Sequence, residues 1–223
     1  DTLRYKSPIH AFALKLRLGG GNLYRIDIVH PRLGTVSASA RVPYKPTMEL
    51  GYPSNNMLRD PRAYSDTGNI VFPVGLTGIA FLGRMLVDYE VLIDGEWTPE
   101  RVEIPAGFQS DVHDYTHVVY PKLVKPAYWR TVEVFKNELY QKTLADIAYR
   151  KYLTNKIIFD RVVFQVLQVD SSLYRYIDPS DDPRSIRLDQ PTFSNVKGGL
   201  GLVGAYAVDS LVYLLPENFS FNH

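Results

Sequence analysis

The feature that most constrains the fold of this chain is an apolar, glycine-rich stretch near its end, from Pro191 to Pro216. Four glycines interrupt it before an apolar run that continues to Leu215. They are Gly198, Gly199, Gly201 and Gly204. Glycine within a strand pattern marks a bend or a place where another backbone approaches closely. We therefore predict a buried, bent strand that closes a β-sheet core, with the four glycines in a structural role.

The N-terminal region shows the period of two that is typical of strands with one solvated face. Apolar residues alternate with polar or small ones in three runs, His10–Leu18, Tyr24–Ile28 and Val36–Val42. Glycine-containing turns separate the runs, at residues 19–22 and 31–34. These runs predict a three-stranded antiparallel meander.

The remainder of the chain predicts further strands and one long helix. Asp94-Gly95 is a two-residue hairpin signal, and the run Ile157–Val169 is β-branched enough to predict a long central strand. Between these elements, helical spacing of apolar residues predicts a helix over 137–153. Asp170-Ser-Ser172 predicts the N-cap of a short helical turn that ends at Ile177. Residues 43–69 lack periodicity and contain four prolines, so we predict a linker or long surface connection there.

These patterns predict an all-β protein, mostly β with one inserted helix, built as an antiparallel β-sandwich. Aromatic and β-branched residues punctuated by 15 Gly and 15 Pro support that class. We expect residues 1–46 to form an N-terminal β-meander that is part of an immunoglobulin-like sandwich. We expect residues 47–223 to form a larger β-rich region with the helix near 137–153.

Composition excludes several classes of function. The sequence has no cysteine, which excludes disulfides, thiolate metal sites and a thiol nucleophile. The 25 basic and 24 acidic residues are scattered, so we expect no nucleic-acid partner. No stretch has the length and apolarity of a membrane span, and Asp1 is not followed by an apolar leader. We expect a soluble chain whose attachment to a membrane would need a lipid anchor outside this sequence.

The spacing Gly199-Leu-Gly201-Leu-Val-Gly204 matches that of a dinucleotide-binding loop. Its context does not fit, because the following run is strand-like and only 19 residues remain after Gly204. That is too few for the helix, second strand and acidic residue such a unit needs. No Gly-x-Ser-x-Gly or Ser-x-x-Lys motif of nucleophilic catalysis occurs either. We therefore expect no cofactor and favour a protein without catalytic residues.

Asp111, His113 and His117 form the densest group of potential metal ligands in the sequence. On an extended segment the three side chains share one face, which a divalent ion such as zinc could use. The two histidines are not accompanied by a recognisable third and fourth ligand of the usual kind. A polar loop that leads into a strand is the alternative interpretation of this segment.

Trp97 and Trp129, with neighbouring tyrosines, are candidates for stacking on a glycan or another small ligand. Aromatic side chains also fill the cores of sandwiches, so burial is the alternative interpretation of both residues. Exposure of the two rings in a common cleft would favour the binding interpretation.

Three stretches together resemble a family of Bacteroidetes outer-membrane-associated lipoproteins of unknown function. Tyr24–Val29 followed by Val36–Pro43 is similar to that family's tyrosine-bearing strand and its alanine-containing strand that ends in proline. Val162–Val169 followed by Ser172–Ile177 resembles its strand and Tyr-x-Tyr turn. Ser194–Tyr206 looks like its C-terminal "Ser-Asn-Ile, Gly-Gly-x-Gly, Phe-Gly-Ala" signature.

The C-terminal stretch is the most specific of the three, although Val203 stands where the family usually has Phe. Members of the family typically carry a signal peptide, a lipid-modified cysteine and a fuller N-terminal β-domain, which this sequence lacks. The resemblance implies the mature or trimmed part of a cell-envelope protein, anchored at the outer membrane and facing the periplasm or the cell surface. It also implies a TonB-dependent outer-membrane receptor as a partner, and it implies no catalytic residues.

The resulting expectation is a non-catalytic envelope lipoprotein that binds a ligand or assists a TonB-dependent transporter. Two alternatives come from other classes. One is a metal-dependent hydrolase that uses Asp111, His113 and His117. The other is a structural surface or adhesion protein, which would self-associate.

Overall fold

The computed structural model describes residues 15–32, 34–51, 54–73, 79–110, 116–125, 130–152, 156–177 and 193–221. The strands in chain order are β1 (Leu23–His30), β2 (Gly34–Arg41), β3 (Glu49–Leu50), β4 (Thr67–Pro73), β5 (Ala80–Ile93), β6 (Glu96–Glu103), β7 (Gly107–Ser110), β8 (Thr116–Val119), β9 (Arg130–Lys136), β10 (Ile157–Val169) and β11 (Tyr206–Leu214). The helices are α1 (Ser54–Arg59), α2 (Asn137–Tyr152) and α3 (Ser171–Ile177), with a 3-10 turn at Pro61–Ala63. The predicted mostly-β class with antiparallel sheets is confirmed.

The largest sheet has four antiparallel strands in the order β11-β10-β5-β6. The prediction of a long strand over Ile157–Val169 is confirmed, and β10 lies in the interior of this sheet. Asp94 and Gly95 connect β5 to β6 with positive φ angles of 52° and 88°. Positive φ at both central residues is the conformation of a tight hairpin turn, as the Asp-Gly pair predicted.

The core lies between this sheet, a smaller sheet and a helix. The smaller sheet has the order β3-β4-β9, and the ring of Phe135 on β9 packs 5.4 Å from that of Phe164 on β10. Helix α2 follows β9 directly and buries Tyr140 and Leu144 completely. The predicted helix over 137–153 is confirmed for 137–152, and residue 153 lies outside the described part. The packing of two sheets with α2 gives a sandwich-like arrangement.

The prediction of a linker over residues 43–69 is wrong. This region contributes β3, α1, the 3-10 turn and the start of β4, and Met57 and Leu58 on α1 are fully buried. The Ser54 hydroxyl fixes α1 to β4, since it accepts a bond from the Asn69 N–H (2.7 Å) and donates to the Asn69 carbonyl oxygen (3.0 Å). A helix of six residues is too short to show helical periodicity, so the sequence pattern could not reveal it.

The prediction of a single inserted helix also needs correction, because the described residues contain three helices. Helix α3 corresponds to the predicted short helical turn. The Asp170 carboxylate accepts a hydrogen bond from the Leu173 N–H at 2.9 Å, which is the predicted N-cap.

At the N-terminus, β1 and β2 form a two-stranded antiparallel hairpin. The predicted first strand over His10–Leu18 is wrong for Lys15–Leu18, which is not a strand; residues 10–14 lie outside the described part. The hairpin contacts the C-terminal segment, where Ser37 and Lys197 exchange two backbone hydrogen bonds of 3.0 and 2.8 Å.

The prediction of a buried closing strand is only half right. A strand is present, β11, but it lies at an edge of the four-stranded sheet, and all nine of its residues are partly or fully exposed. The four glycines precede it in an irregular, exposed segment. An apolar run in the sequence predicts a strand, but it carries no information on whether that strand has a hydrogen-bonded neighbour on one side or on both.

Candidate functional site

The structure places only some of the residues that the sequence singled out. Trp97 lies on β6 and is half-exposed, whereas Trp129 lies outside the described residues. Of the predicted metal ligands, Asp111 and His113 also lie outside the described residues. His117 is exposed on β8, opposite Gln109 of β7. Among the residues that the structure describes, no three His, Cys, Asp or Glu side chains are grouped so as to hold a metal ion.

The irregular segment that contains the four glycines, residues 198–204, is called the glycine segment. It contacts its neighbours at two points where a side chain would not fit. At Gly198, which has a φ of 81°, a Cβ atom would lie 2.6 Å from the Thr35 carbonyl oxygen. At Gly204 a Cβ atom would lie 2.8 Å from the Cβ of Leu173 on α3. At Gly199 the nearest atom, of the Val36 side chain, would be 3.2 Å away. Gly201 has a φ of 154° and only an ordinary contact with Val196.

The most developed polar cluster of the described residues lies on the outer face of the four-stranded sheet, turned away from the core. We call it the charged row and define it as Arg161 on β10, Asp88 on β5 and Arg101 on β6. Asp88 is the register partner of both arginines, which places the three side chains side by side across adjacent strands. The pleat directs neighbouring residues, such as Val87 and Val162, into the core.

The geometry of the charged row is that of a carboxylate held by two guanidinium groups. Arg101 donates from Nε to Asp88 Oδ1 (2.5 Å) and from Nη2 to Oδ2 (2.8 Å), while Arg161 donates from Nε to Oδ2 at 2.9 Å. The Asp88 side chain is only 11% exposed, whereas those of Arg101 and Arg161 are 55% and 44% exposed. Two-point Arg–carboxylate pairing fixes orientation as well as charge.

The electrostatics follow from this geometry. The hydrogen bond from Arg101 lowers the pKa of the Asp88 carboxyl, and the bond from Arg161 adds to this against the opposing effect of burial. The same pair raises the pKa of Arg101. Both pKa changes favour the charged forms, so Asp88 and Arg101 keep their charges across the physiological pH range.

A second ion pair continues the outer face next to the charged row. Arg84 on β5 donates from Nε and Nη2 to the two carboxylate oxygens of Glu103 on β6, at 2.9 and 2.6 Å. Its Nη1 donates to the side-chain oxygen of Gln165 on β10 at 3.3 Å. The hydrogen bond to Glu103 raises the pKa of Arg84. The outer face is therefore tied across three strands by side chains as well as by the backbone.

The charged row borders a depression of about 410 Å³ at the β6 side of the sheet. It is lined by Asp88, Tyr89, Glu90, Pro99, Glu100, Arg101, Asp160 and Arg161. Its rim offers guanidinium donors and carboxylate acceptors together. Trp97 lies on the same side of β6 as Arg101, four residues or about 13 Å along the strand.

One part of this site could have been found from the sequence. The two-residue turn at Asp94-Gly95 pairs Ile93 with Glu96, the residues on either side of it. Counting five residues back along β5 and five forward along β6 then places Asp88 opposite Arg101. Arg161 could not be placed in this way. It comes from a strand distant in sequence, and the register of β10 shifts between Phe159 and Arg161.

Comparisons with known proteins leave the chain without an assigned family. No family model matches it, and neither the curated proteins nor the solved structures contain a match. None of the helices in the described ranges is long and apolar enough to cross a membrane.

Proposed function

We propose that this chain is a non-catalytic cell-envelope protein that recognises a ligand and assists a TonB-dependent outer-membrane transporter. The location and the partner rest on the resemblance of Tyr24–Val29, Val36–Pro43 and Ser194–Tyr206 to the Bacteroidetes lipoproteins.

The charged row is the observation that favours ligand recognition over catalysis. A general acid or base works best when its pKa lies near the working pH, and active sites achieve this by raising carboxyl pKa values. At Asp88 the pKa is lowered instead, because two arginines stabilise the carboxylate. The Asp88 carboxylate is therefore suited to holding arginine side chains in place and unsuited to transferring protons.

The depression beside the charged row supports a polyhydroxylated ligand, such as a glycan. Sugar hydroxyls both donate and accept hydrogen bonds, and the rim supplies Arg101 and Arg161 as donors with Glu90 as an acceptor. The half-exposed ring of Trp97 on the same side of β6 can stack on an apolar sugar face. Since Asp88 fixes the guanidinium groups in advance, binding would cost little side-chain entropy.

The partner is tested by capture from native membranes. A tagged form of the full chain, incubated with detergent-solubilised outer membranes of a Bacteroidetes species, should recover a TonB-dependent receptor identified by mass spectrometry. Repeated recovery of the tagged chain alone contradicts the receptor part of the proposal.

The ligand is tested separately, by titration of a panel of oligosaccharides of different sugars and linkages against the pure protein. We expect Trp97→Ala to weaken binding by about tenfold, the loss of one stacked aromatic contact. Tyr120→Ala removes an aromatic side chain that is also exposed but follows β8 and does not share β6 with Arg101, and it should leave the affinity unchanged. Equal effects of the two substitutions would remove Trp97 from the proposal.

A further inference from the structure

We infer that β11 is a docking edge, which pairs antiparallel with β11 of a second copy of this chain and joins the two four-stranded sheets into one. The inference is independent of the ligand and receptor proposed above. It rests on the backbone register of β11, the pattern of its side chains and a contrast with the other edge of the same sheet.

The backbone register shows which groups of β11 point away from the sheet. Leu215 donates its N–H to the Asp160 carbonyl and Asp170 donates to the Ala205 carbonyl, both at 2.9 Å. In an antiparallel pair, residues alternate between bonding to the partner strand and facing away from it. The odd-numbered residues of β11 therefore bond to β10, and the five even-numbered residues, from Tyr206 to Leu214, direct their N–H and C=O groups outward. No other described backbone group bonds to this outward edge.

The outward edge is complementary to itself. A two-fold axis at Ser210 pairs Ser210 with the partner's Ser210, Val208 with the partner's Val212, and Tyr206 with the partner's Leu214. Every pair in this register joins two outward-facing residues, so each can exchange two backbone hydrogen bonds. The register also overlaps the whole nine-residue strand. A shift of either copy by one residue would oppose outward groups to inward groups and lose the ladder.

The side chains fit the same arrangement. The even-numbered residues share one face of β11, and four of the five are apolar or aromatic. Tyr206 is 60% exposed, Val212 49% and Leu214 68%. The pairing places each of them opposite an apolar residue of the second copy, and such cross-strand pairs stabilise a sheet. The only charged residue of β11, Asp209, is odd-numbered and forms an ion pair with Lys45 at 2.7 Å.

The opposite edge of the same sheet shows how an edge is protected from pairing. In β6 the even-numbered residues bond to β5, since the adjoining Ile104 donates to the Met85 carbonyl. Pro99, Arg101 and Glu103 then occupy outward positions, and Pro99 has no N–H to offer. Proline and charge are the usual means of preventing edge-to-edge association. β11 has neither at its outward positions, so the sheet is protected on one side and open on the other.

The test is the mass of the intact protein in solution. Sedimentation equilibrium over a range of concentrations should show a wild-type dimer, twice the monomer mass of 25.4 kDa. Ser210→Lys places two like charges directly opposite each other at the axis and should weaken the dimer by at least about tenfold. Thr98→Lys adds the same charge at an exposed position of the protected strand β6 and should leave the dimer unchanged. A mixture of Ser210→Lys and Ser210→Glu proteins should recover the dimer, which a misfolded variant could not do.

Residue-resolved hydrogen exchange supplies the second readout. Amides of residues 207, 209, 211 and 213 should be protected at all concentrations, because they bond to β10. Amides of residues 206, 208, 210, 212 and 214 should exchange quickly in dilute protein and become protected as the dimer forms.

Three results would overturn the inference. They are a wild-type protein that stays monomeric at millimolar concentration, a dimer that Ser210→Lys leaves intact, and outward amides protected only when a different envelope protein is added. The last result would assign the edge to another partner.

Discussion

The four-stranded sheet and the N-terminal hairpin are both antiparallel, yet they are held together by different means. Strand β10 buries Val162, Phe164 and Val166 completely on its core face and contributes Arg161 of the charged row on its other face. In the hairpin, seven of the eight residues of β1 are exposed, including Ile26 and Ile28. An isolated two-stranded hairpin is marginally stable in water. We conclude that the hairpin depends on its contact with the C-terminal glycine segment, whereas the sheet depends on its own core.

The largest effect should come from the core of the sheet. Phe164→Ala removes a fully buried ring that packs on Phe135, and it should lower the free energy of unfolding by about 4 kcal/mol. Ile28→Ala in the hairpin removes an exposed side chain and should change it by less than about 0.5 kcal/mol. Urea denaturation of both variants measures the difference. Similar losses would mean that the hairpin has a core of its own.

An intermediate effect should come from the charged row. Asp88→Asn removes the carboxylate that Arg101 and Arg161 share, leaving Arg161 only its pair with Asp160, and should cost about 2 kcal/mol at pH 7. Asp27→Asn breaks the exposed Arg25–Asp27 pair of the hairpin and should cost less than about 0.5 kcal/mol. Thermal denaturation of the two variants beside the wild type compares the two pairs. Equal costs would contradict the structural role assigned to the charged row.

The stability difference between wild type and Asp88→Asn should change with pH in one direction only. Because the folded state lowers the pKa of Asp88, its contribution is complete above the unfolded-state value of about 3.9 and is lost as the pH falls through the lower folded-state value. The stability difference between wild type and Asp88→Asn should therefore shrink below about pH 4 and be constant near neutrality. A difference that grows as the solution is acidified would show that the sign of the pKa shift is wrong.

The smallest difference between paired variants concerns the contact between hairpin and glycine segment. Gly198→Ala forces a side chain into positive φ and against the Thr35 carbonyl oxygen, and it should cost about 2 kcal/mol. Gly34→Ala has a similar φ of 85° but nothing within 4 Å, so it should cost only about 1 kcal/mol. Chemical denaturation of the two variants separates steric contact from backbone strain. Equal costs would mean that the glycine segment does not hold the hairpin.

The elements that the sequence predicted well are those encoded locally. Asp94-Gly95, the helix near 137–153 and the Asp170 cap each depend on residues within a few positions of one another. Strand β10 was predicted because its run of 13 residues is long and β-branched. Helix α1 is not indicated by the sequence because it has only six residues, three of which (Ser54, Met57 and Leu58) are buried through contacts with parts of the chain distant in sequence.

Features that depend on strand neighbours were beyond the sequence pattern. Alternation predicts that β11 is a strand but carries no information on its position at an edge, and the third strand expected beside β1 was wrong for Lys15–Leu18. For the site, the register of the Asp94-Gly95 turn contains the Asp88–Arg101 pair, but Arg161 reaches it only through the pairing of β10 with β5. The placement of Asp111, His113 and Trp129 stays a prediction.

The most direct test of the contrast between sheet and hairpin is native-state hydrogen exchange of the intact chain, resolved by residue. Amides of β5 and β10 should exchange only through global unfolding, and their free energies of opening should fall together in Phe164→Ala. Amides of β1 and β2 should open at a lower free energy, which falls further in Gly198→Ala while the values for β5 and β10 stay unchanged. Equal free energies of opening for the hairpin and the sheet, falling together in both variants, would contradict the account.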